Sequence, residues 1–148
     1  MNRYGGDARR RPAKGLWRAP DGQIRTPIAL IAAPTATVRM KLTLAVAGLA
    51  LTVVNAADAA EIAAAVASVR PHVALVGGFP TDADGACPAL EAVRRASADL
   101  PVLRLTPATE WERAENLRRR RGMELVSHPD DLAQALVAAL QRAGWQRG

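Results

Sequence analysis

The chain has 148 residues, 49% of them apolar, with a formal net charge of +6 at pH 7, and a chain of this size forms one domain that buries about two-thirds of its unfolded surface. The charge is unevenly placed: residues 1–26 hold seven basic and two acidic side chains, a net of +5, and the remainder is at +1. A near-neutral globular part argues against a nucleic-acid-binding face on the core, and the single cysteine, Cys87, excludes an internal disulfide or a cysteine-based zinc site and fits a reducing cytosol.

Residues 1–26 are rich in Gly, Pro and Arg and have no apolar period, so they read as a basic, disordered or loosely attached tail, with Leu16-Trp17 the one place able to dock on a core. A regular domain is expected over residues 27–148. Ile28–Ile31 is a short apolar run, the first strand, ending at Ala32-Ala33-Pro34. Thr35 or Thr37 caps a helix to about Ala47, with Gly48 placed for a C-terminal residue of positive φ. Leu49–Val54, β-branched and aliphatic, is the second strand. Asp58 with Glu61 opens an alanine-rich helix in the manner of a capping box, and Arg70-Pro71 ends it near Val69.

Val73–Val76 is an uncharged apolar run bounded by Pro71 on one side and by Gly77-Gly78, Pro80 and Asp84-Gly85 on the other, the pattern of a strand buried on both faces. A helix over about 86–98, a strand over Val102–Leu105 and a helix over about 109–121 follow, closed by Gly122. Glu124–Val126 makes a fifth strand, and a last helix runs from Asp130 to Ala143, its acidic start suiting the helix dipole. Five β-α repeats imply an α/β fold, a (βα)5 flavodoxin-like three-layer sandwich with a five-stranded parallel sheet. Ligands and chemistry in such a sheet sit at the carboxyl ends of the strands. There is no run of 18 apolar residues and hence no ordinary transmembrane helix; a cytoplasmic location without a membrane partner is expected.

Several of these stretches resemble a known family. The run Arg70-Pro-His-Val-Ala-Leu-Val-Gly77 resembles the third strand of response-regulator receiver domains, where a Pro-Asp pair and four apolar residues lead to the phosphorylated aspartate. Asp84-Gly85 resembles the family's Asp-Gly pair, Leu100–Thr106 its fourth strand closed by Thr or Ser, and Leu125–Pro129 its fifth strand closed by Lys-Pro. The similarity spans about Pro27 to Gly144. The departures fall on the chemistry: the acidic pair that holds magnesium in the family falls on Ala32 and Ala33, and the phospho-acceptor aspartate on Gly77 or, since Pro80 comes one residue early, on Val76. The lysine slot carries His128, the aromatic switch position carries Leu125, and only Thr106 survives. Phosphoryl transfer to a carboxylate needs an oxygen nucleophile and a divalent cation held by oxygen ligands, and alanine and glycine supply neither.

The resemblance therefore implies a degenerate pseudo-receiver of the two-component (phosphorelay) type. It is expected to be no enzyme, to have no catalytic residue, cofactor or magnesium, and to act through protein contact. The partner, or a second copy of the chain, is expected on the face of the fourth helix, fifth strand and fifth helix. Arg118, Arg119, Arg120 and Arg121 lie at the edge of that face near Leu125, although four cations also suit a helix C-terminus. Asp82 and Asp84 are the possible substitute acidic loop, or else a solvated turn and cap. His128 is either a phosphate partner or a polar residue before a turn, and Cys87 is a small apolar residue near a helix start. Three other readings stand beside this one. Met40–Ala56 has the basic start, apolar centre and Val-x-Ala ending of a secretory signal and would make the protein exported. The basic arm would otherwise bind nucleic acid. A flavodoxin-like cofactor binder would lack both a Gly-x-Gly-x-x-Gly fingerprint and a Walker loop.

Overall fold

Thr35 and Asp58 start their helices as local chemistry dictates. Thr35 Oγ1 accepts from Val38 N at 3.3 Å, and Asp58 Oδ1 accepts from Glu61 N at 2.8 Å while Glu61 Oε1 takes the Ala57 N–H at 2.9 Å. The computed structural model describes residues 14–80, 87–105, 124–126 and 128–148. Within them the elements are β1 (Trp17–Arg18), β2 (Ile28–Ala32), α1 (Ala36–Ala45), β3 (Thr52–Ala56), α2 (Ala59–Val69), β4 (Val73–Gly77), α3 (Pro88–Ala96), β5 (Val102–Leu105), β6 (Glu124–Val126), α4 (Leu132–Arg142) and β7 (Gln146–Arg147). β2 to β6 form one parallel sheet in the order β3-β2-β4-β5-β6. This is the flavodoxin-like order, as expected. The helix expected over 109–121 lies outside the described residues.

Alternation along the strands divides the core in two. Ala29, Ile31, Val73, Leu75 and Leu103 face one side, where Leu42 of α1 and Leu136 and Leu140 of α4 cover them. Leu30, Ala32, Ala74, Val76 and Val102 face the other, under Ile62 and Val66 of α2 and Leu90 and Val93 of α3. All five residues of β4 are buried.

Some boundaries differ from the expectation. After α1 the chain makes a 3-10 turn over Ala47–Leu49 that buries Leu49, so β3 begins at Thr52 rather than Leu49. Ala50, and not Gly48, takes the left-handed backbone, at φ 55°, a conformation that costs a non-glycine residue about 1 kcal/mol. The signal-like segment Met40–Ala56 is the later part of α1, this turn and β3.

The larger correction concerns residues 14–26. They are not a loose tail. Trp17 is 1% exposed and its Nε1–H donates to the Leu49 carbonyl at 2.6 Å. Its ring meets Trp145 edge-on, centroids 6.4 Å apart. β1 pairs antiparallel with β7, and Gly148 N donates to Leu16 O at 3.0 Å. Gly144, at φ 103°, turns the chain out of α4 so that this pairing can form. Arg147 lies over the Trp17 ring at 5.8 Å and Arg25 over Trp145 at 5.6 Å. An isolated tryptophan in a Gly- and Arg-rich stretch has no periodicity to announce it; its partner is a second tryptophan at the far end of the sequence.

His72 joins this cluster. Its Nδ1 accepts the Ile28 N–H at 2.9 Å and its ring lies 4.8 Å from that of Trp145. Burial, with a smaller contribution from the Arg25 charge, holds its pKa below the usual 6.5. A depressed histidine favours the folded state when neutral, so this contribution is complete above pH 6.5 and lost as pH falls through the lowered folded value.

Two outcomes are expected. Replacing Trp17 with alanine should cost about 3–5 kcal/mol in denaturant unfolding. The thermal midpoint should fall as pH is lowered below about 6.5, and His72→Asn, which keeps an acceptor beside Ile28 N but does not titrate, should flatten that slope.

Candidate functional site

The parallel register brings the carboxyl ends of four strands into line. Ala32 lies opposite Ala56 of β3 and Val76 of β4, and Gly77 lies opposite Leu105 of β5. Ala32 and Ala33 are fully buried, and Ala33 N donates to the Ala56 carbonyl at 3.1 Å. Three of the residues singled out by sequence, Ala32, Ala33 and Gly77, are therefore gathered at one rim.

The slot at Gly77 is apolar. A Cβ there would lie 3.5 Å from Leu105 Cβ and 3.5 Å from Leu42 Cδ1, ordinary van der Waals contacts. The next residue, Gly78, turns the chain away at φ 76°, and a Cβ on it would meet Pro34 Cδ and Val38 Cγ1 at 3.4 Å. Val76, the other acceptor position considered, is 1% exposed and packs on the opposite face among the α2 and α3 residues.

The resemblance implies a magnesium ion at this rim, and Ala32, Ala33 and Gly77 do not fit one. Magnesium takes hard oxygen ligands, commonly one or two carboxylates, and Ala32, Ala33 and Gly77 contribute no side-chain oxygen. No group of three or more metal-ligating side chains exists among the described residues. One candidate backbone ligand, the Ala33 carbonyl, accepts instead from Arg39 Nη1 at 2.7 Å.

Arg39 escaped the sequence reading. The signal available was a cation in the early part of α1, where the helix dipole favours acids; its carbonyl partner compensates. Arg104 escaped as well. It is the one charge in β5, only 6% exposed, set between Val76 and Leu125 in the sheet, and its Nη1 has no hydrogen-bond partner among the described residues.

His128 is turned to its own chain. Its Nδ1 accepts from Asp130 N at 3.2 Å, capping the turn over Pro129–Asp131, and its side chain is 64% exposed. Leu125 is half-buried and packs against the α2–α3 side of the core. Cys87 is buried and precedes Pro88 at the start of α3, its side chain making no capping hydrogen bond. Thr106, Asp82, Asp84, Arg118, Arg119, Arg120 and Arg121 lie outside the described residues.

No family model and no curated protein matches the sequence. Solved structures do match, and several of them are receiver domains. The isolated receiver domain of RcsB from Salmonella enterica is 19% identical, with a TM-score of 0.63 over 84% of this chain and 94% of that one. The response-regulator domain of Thermotoga maritima CheB is 19% identical, with a TM-score of 0.60 over 80% of this chain and 96% of that one. NtrX from Brucella abortus is 18% identical with a TM-score of 0.67; the match covers 80% of this chain and 28% of that longer protein. The fold of this chain is thus the receiver fold, a five-stranded parallel sheet covered by helices.

The apolar slot gives a direct test. Gly77→Ala fits the space and removes backbone freedom from the unfolded chain, so it should be neutral or stabilising by up to ~1 kcal/mol. Gly77→Asp sets a carboxylate between Leu42 and Leu105 and should destabilise by about 2 kcal/mol or more. Urea unfolding of the two variants checks the contrast.

Proposed function

We propose that the chain is a receiver-like signalling module of the two-component type that is not phosphorylated and acts by binding other proteins. The observation that carries this reading is the rim itself: Gly77, backed by Leu42 and Leu105 at 3.5 Å from where a Cβ would stand, beside the fully buried Ala32 and Ala33. Phosphoryl transfer needs an in-line oxygen nucleophile and a cation that offsets charge on the equatorial oxygens. This rim offers methyl groups and leucine side chains where both would be. The reading therefore assigns no catalytic residue, no cofactor and no magnesium requirement to the domain, and it places its activity in the cytoplasm.

The partner face belongs to the same proposal. β6 and α4 border a shallow groove lined by Glu124, Leu125, Val126, Asp131, Gln134 and Ala135. In the reading proposed, this face, continued by the helix expected over 109–121 with Arg118–Arg121, receives a protein partner or a second copy.

Incubation of the full chain with acetyl phosphate and magnesium checks the first half of the reading. Intact mass should show no gain of about 80 Da, the weight of one phosphoryl unit. A gain mapping to Asp82 or Asp84 would overturn it and make the acidic loop a working acceptor.

A further inference from the structure

Strand β3 is one edge of the parallel sheet, and its outer side has none of the devices that keep a strand edge from pairing. Residues 49–57 contain no charged side chain and no proline, and the register with β2 runs in step from Thr52 to Ala56 without a bulge. The opposite edge differs: β6 is three residues long and carries Glu124, bound to Arg142 at 3.1 Å. Thr52 N donates to the Pro27 carbonyl at 2.9 Å and the Ala56 carbonyl accepts from Ala33 N at 3.1 Å, so Thr52, Val54 and Ala56 bond inward to β2. Alternation turns the N–H and C=O of Val53 and Asn55 outward, where neither finds a partner among the described residues. The next outward N–H, that of Ala57, is taken by Glu61 Oε1 at 2.9 Å.

We propose that β3 pairs antiparallel with β3 of a second copy of this chain about a two-fold axis at Val54, joining the two sheets into one. The inference goes beyond the signalling reading, does not depend on it, and leaves the β6–α4 groove free. In this register Val53 faces Asn55 of the second copy, and Asn55 faces Val53 of the second copy. Both outward residues of β3 are then used, each pair exchanging N–H and C=O bonds. Val54 meets its own counterpart, an apolar pair of β-branched side chains.

The neighbouring helix suits the same axis. α1 packs over β2 and β4, toward the middle of the sheet, and α2 over β3 and β2. On α2, Ile62, Ala65 and Val66 are buried, and Ala59 and Ala63 line a groove shared with α3. The remaining side, toward the β3 edge, presents Glu61, Ala64 and Ser68, all exposed. The Ser68 hydroxyl already donates to the Ala64 carbonyl at 2.8 Å, so this side offers small side chains to a second α2. Charge selects a second copy as the occupant. The exposed Asp58 and Glu61 stand at the carboxyl end of β3, and the exposed Arg70 closes α2 at the amino end. A two-fold axis sets the acidic end of one copy beside Arg70 of the other on both sides of the axis, with no like charges opposed at its centre.

Sedimentation equilibrium of the full chain should show a reversible dimer with a micromolar dissociation constant. Asn55→Lys puts a cation on the edge, and Asn55→Pro removes an outward N–H while sparing the bonds to β2. Each should weaken the dimer about ten-fold or more, with the melting temperature of the diluted, monomeric chain unchanged. Arg70→Glu, which faces Glu61 of the second copy, should weaken it about ten-fold, and adding Glu61→Lys should restore it. In the dimer the amide protons of Val53 and Asn55 should exchange with solvent about ten-fold or more slowly than at monomeric dilution. A chain that stays monomeric up to about 100 μM would overturn the proposal. So would a dimer that Asn55→Lys leaves intact and in which Val53 and Asn55 remain unprotected, because the second copy would then sit on another face. Neither result bears on the unphosphorylated reading, which the mass measurement with acetyl phosphate tests separately.

Discussion

Burial of β4 on both faces is the constraint from which the rest of the structure follows. Val73 and Leu75 belong to one core and Ala74 and Val76 to the other. A central parallel strand with no polar side chain requires helices on both sides of the sheet. The crossover connections that supply those helices leave only the carboxyl ends of the strands open. Here the core packing extends into that opening as well. Leu42 reaches from α1 toward Gly77, Leu105 stands across from it, and the two alanines at the end of β2 have no exposed surface. A carboxylate at this rim would need a cation and water to hold its charge. Alanine and glycine at these three positions and the closeness of leucines are two parts of one consistent arrangement.

The charges that remain near the sheet ends support that view. Arg39 donates to the Ala33 carbonyl, so a fixed organic cation engages a backbone oxygen at the end of β2. A guanidinium keeps its charge at every accessible pH and forms directional hydrogen bonds; it satisfies a carbonyl without offering the open coordination positions of a metal ion. Arg104 poses the opposite problem. A buried guanidinium nitrogen without a hydrogen bond costs free energy, and Nη1 of Arg104 has none among the described residues.

How much of this was legible in the sequence depended on the range of the interaction. Thr35, and Asp58 with Glu61, form their caps within four residues, and both were read correctly as caps. The strands were visible because apolar runs between turn residues are local signals, and their parallel direction follows from the β-α alternation. The positions Ala32, Ala33 and Gly77 were found by resemblance, and the register of β2, β4 and β5 brings them together. What failed was long-range. Trp17 and Trp145 are brought together only by the fold, and the Trp17 indole donates to the carbonyl of the buried Leu49. His128 was legible only as an alternative, a partner of phosphate or Asp82 or a polar residue before a turn, and in the structure its Nδ1 accepts from Asp130 N in that turn.

The segment from Met40, signal-like by composition, is the later part of α1, a 3-10 turn and β3 in the structure. Its apolar residues are periodic. Leu42 and Val46 recur four residues apart and are buried, while Met40 and Leu44 recur four residues apart, offset by two, and stand in solvent. An offset of two residues on an α-helix is a rotation of about 200°, so the two sets point in opposite directions. The inner set belongs to the domain core. The outer set has no structural work to do in the isolated chain, since the core under α1 is complete without it. Four large aliphatic side chains within seven residues therefore stand on two sides of the helix, one buried and one exposed.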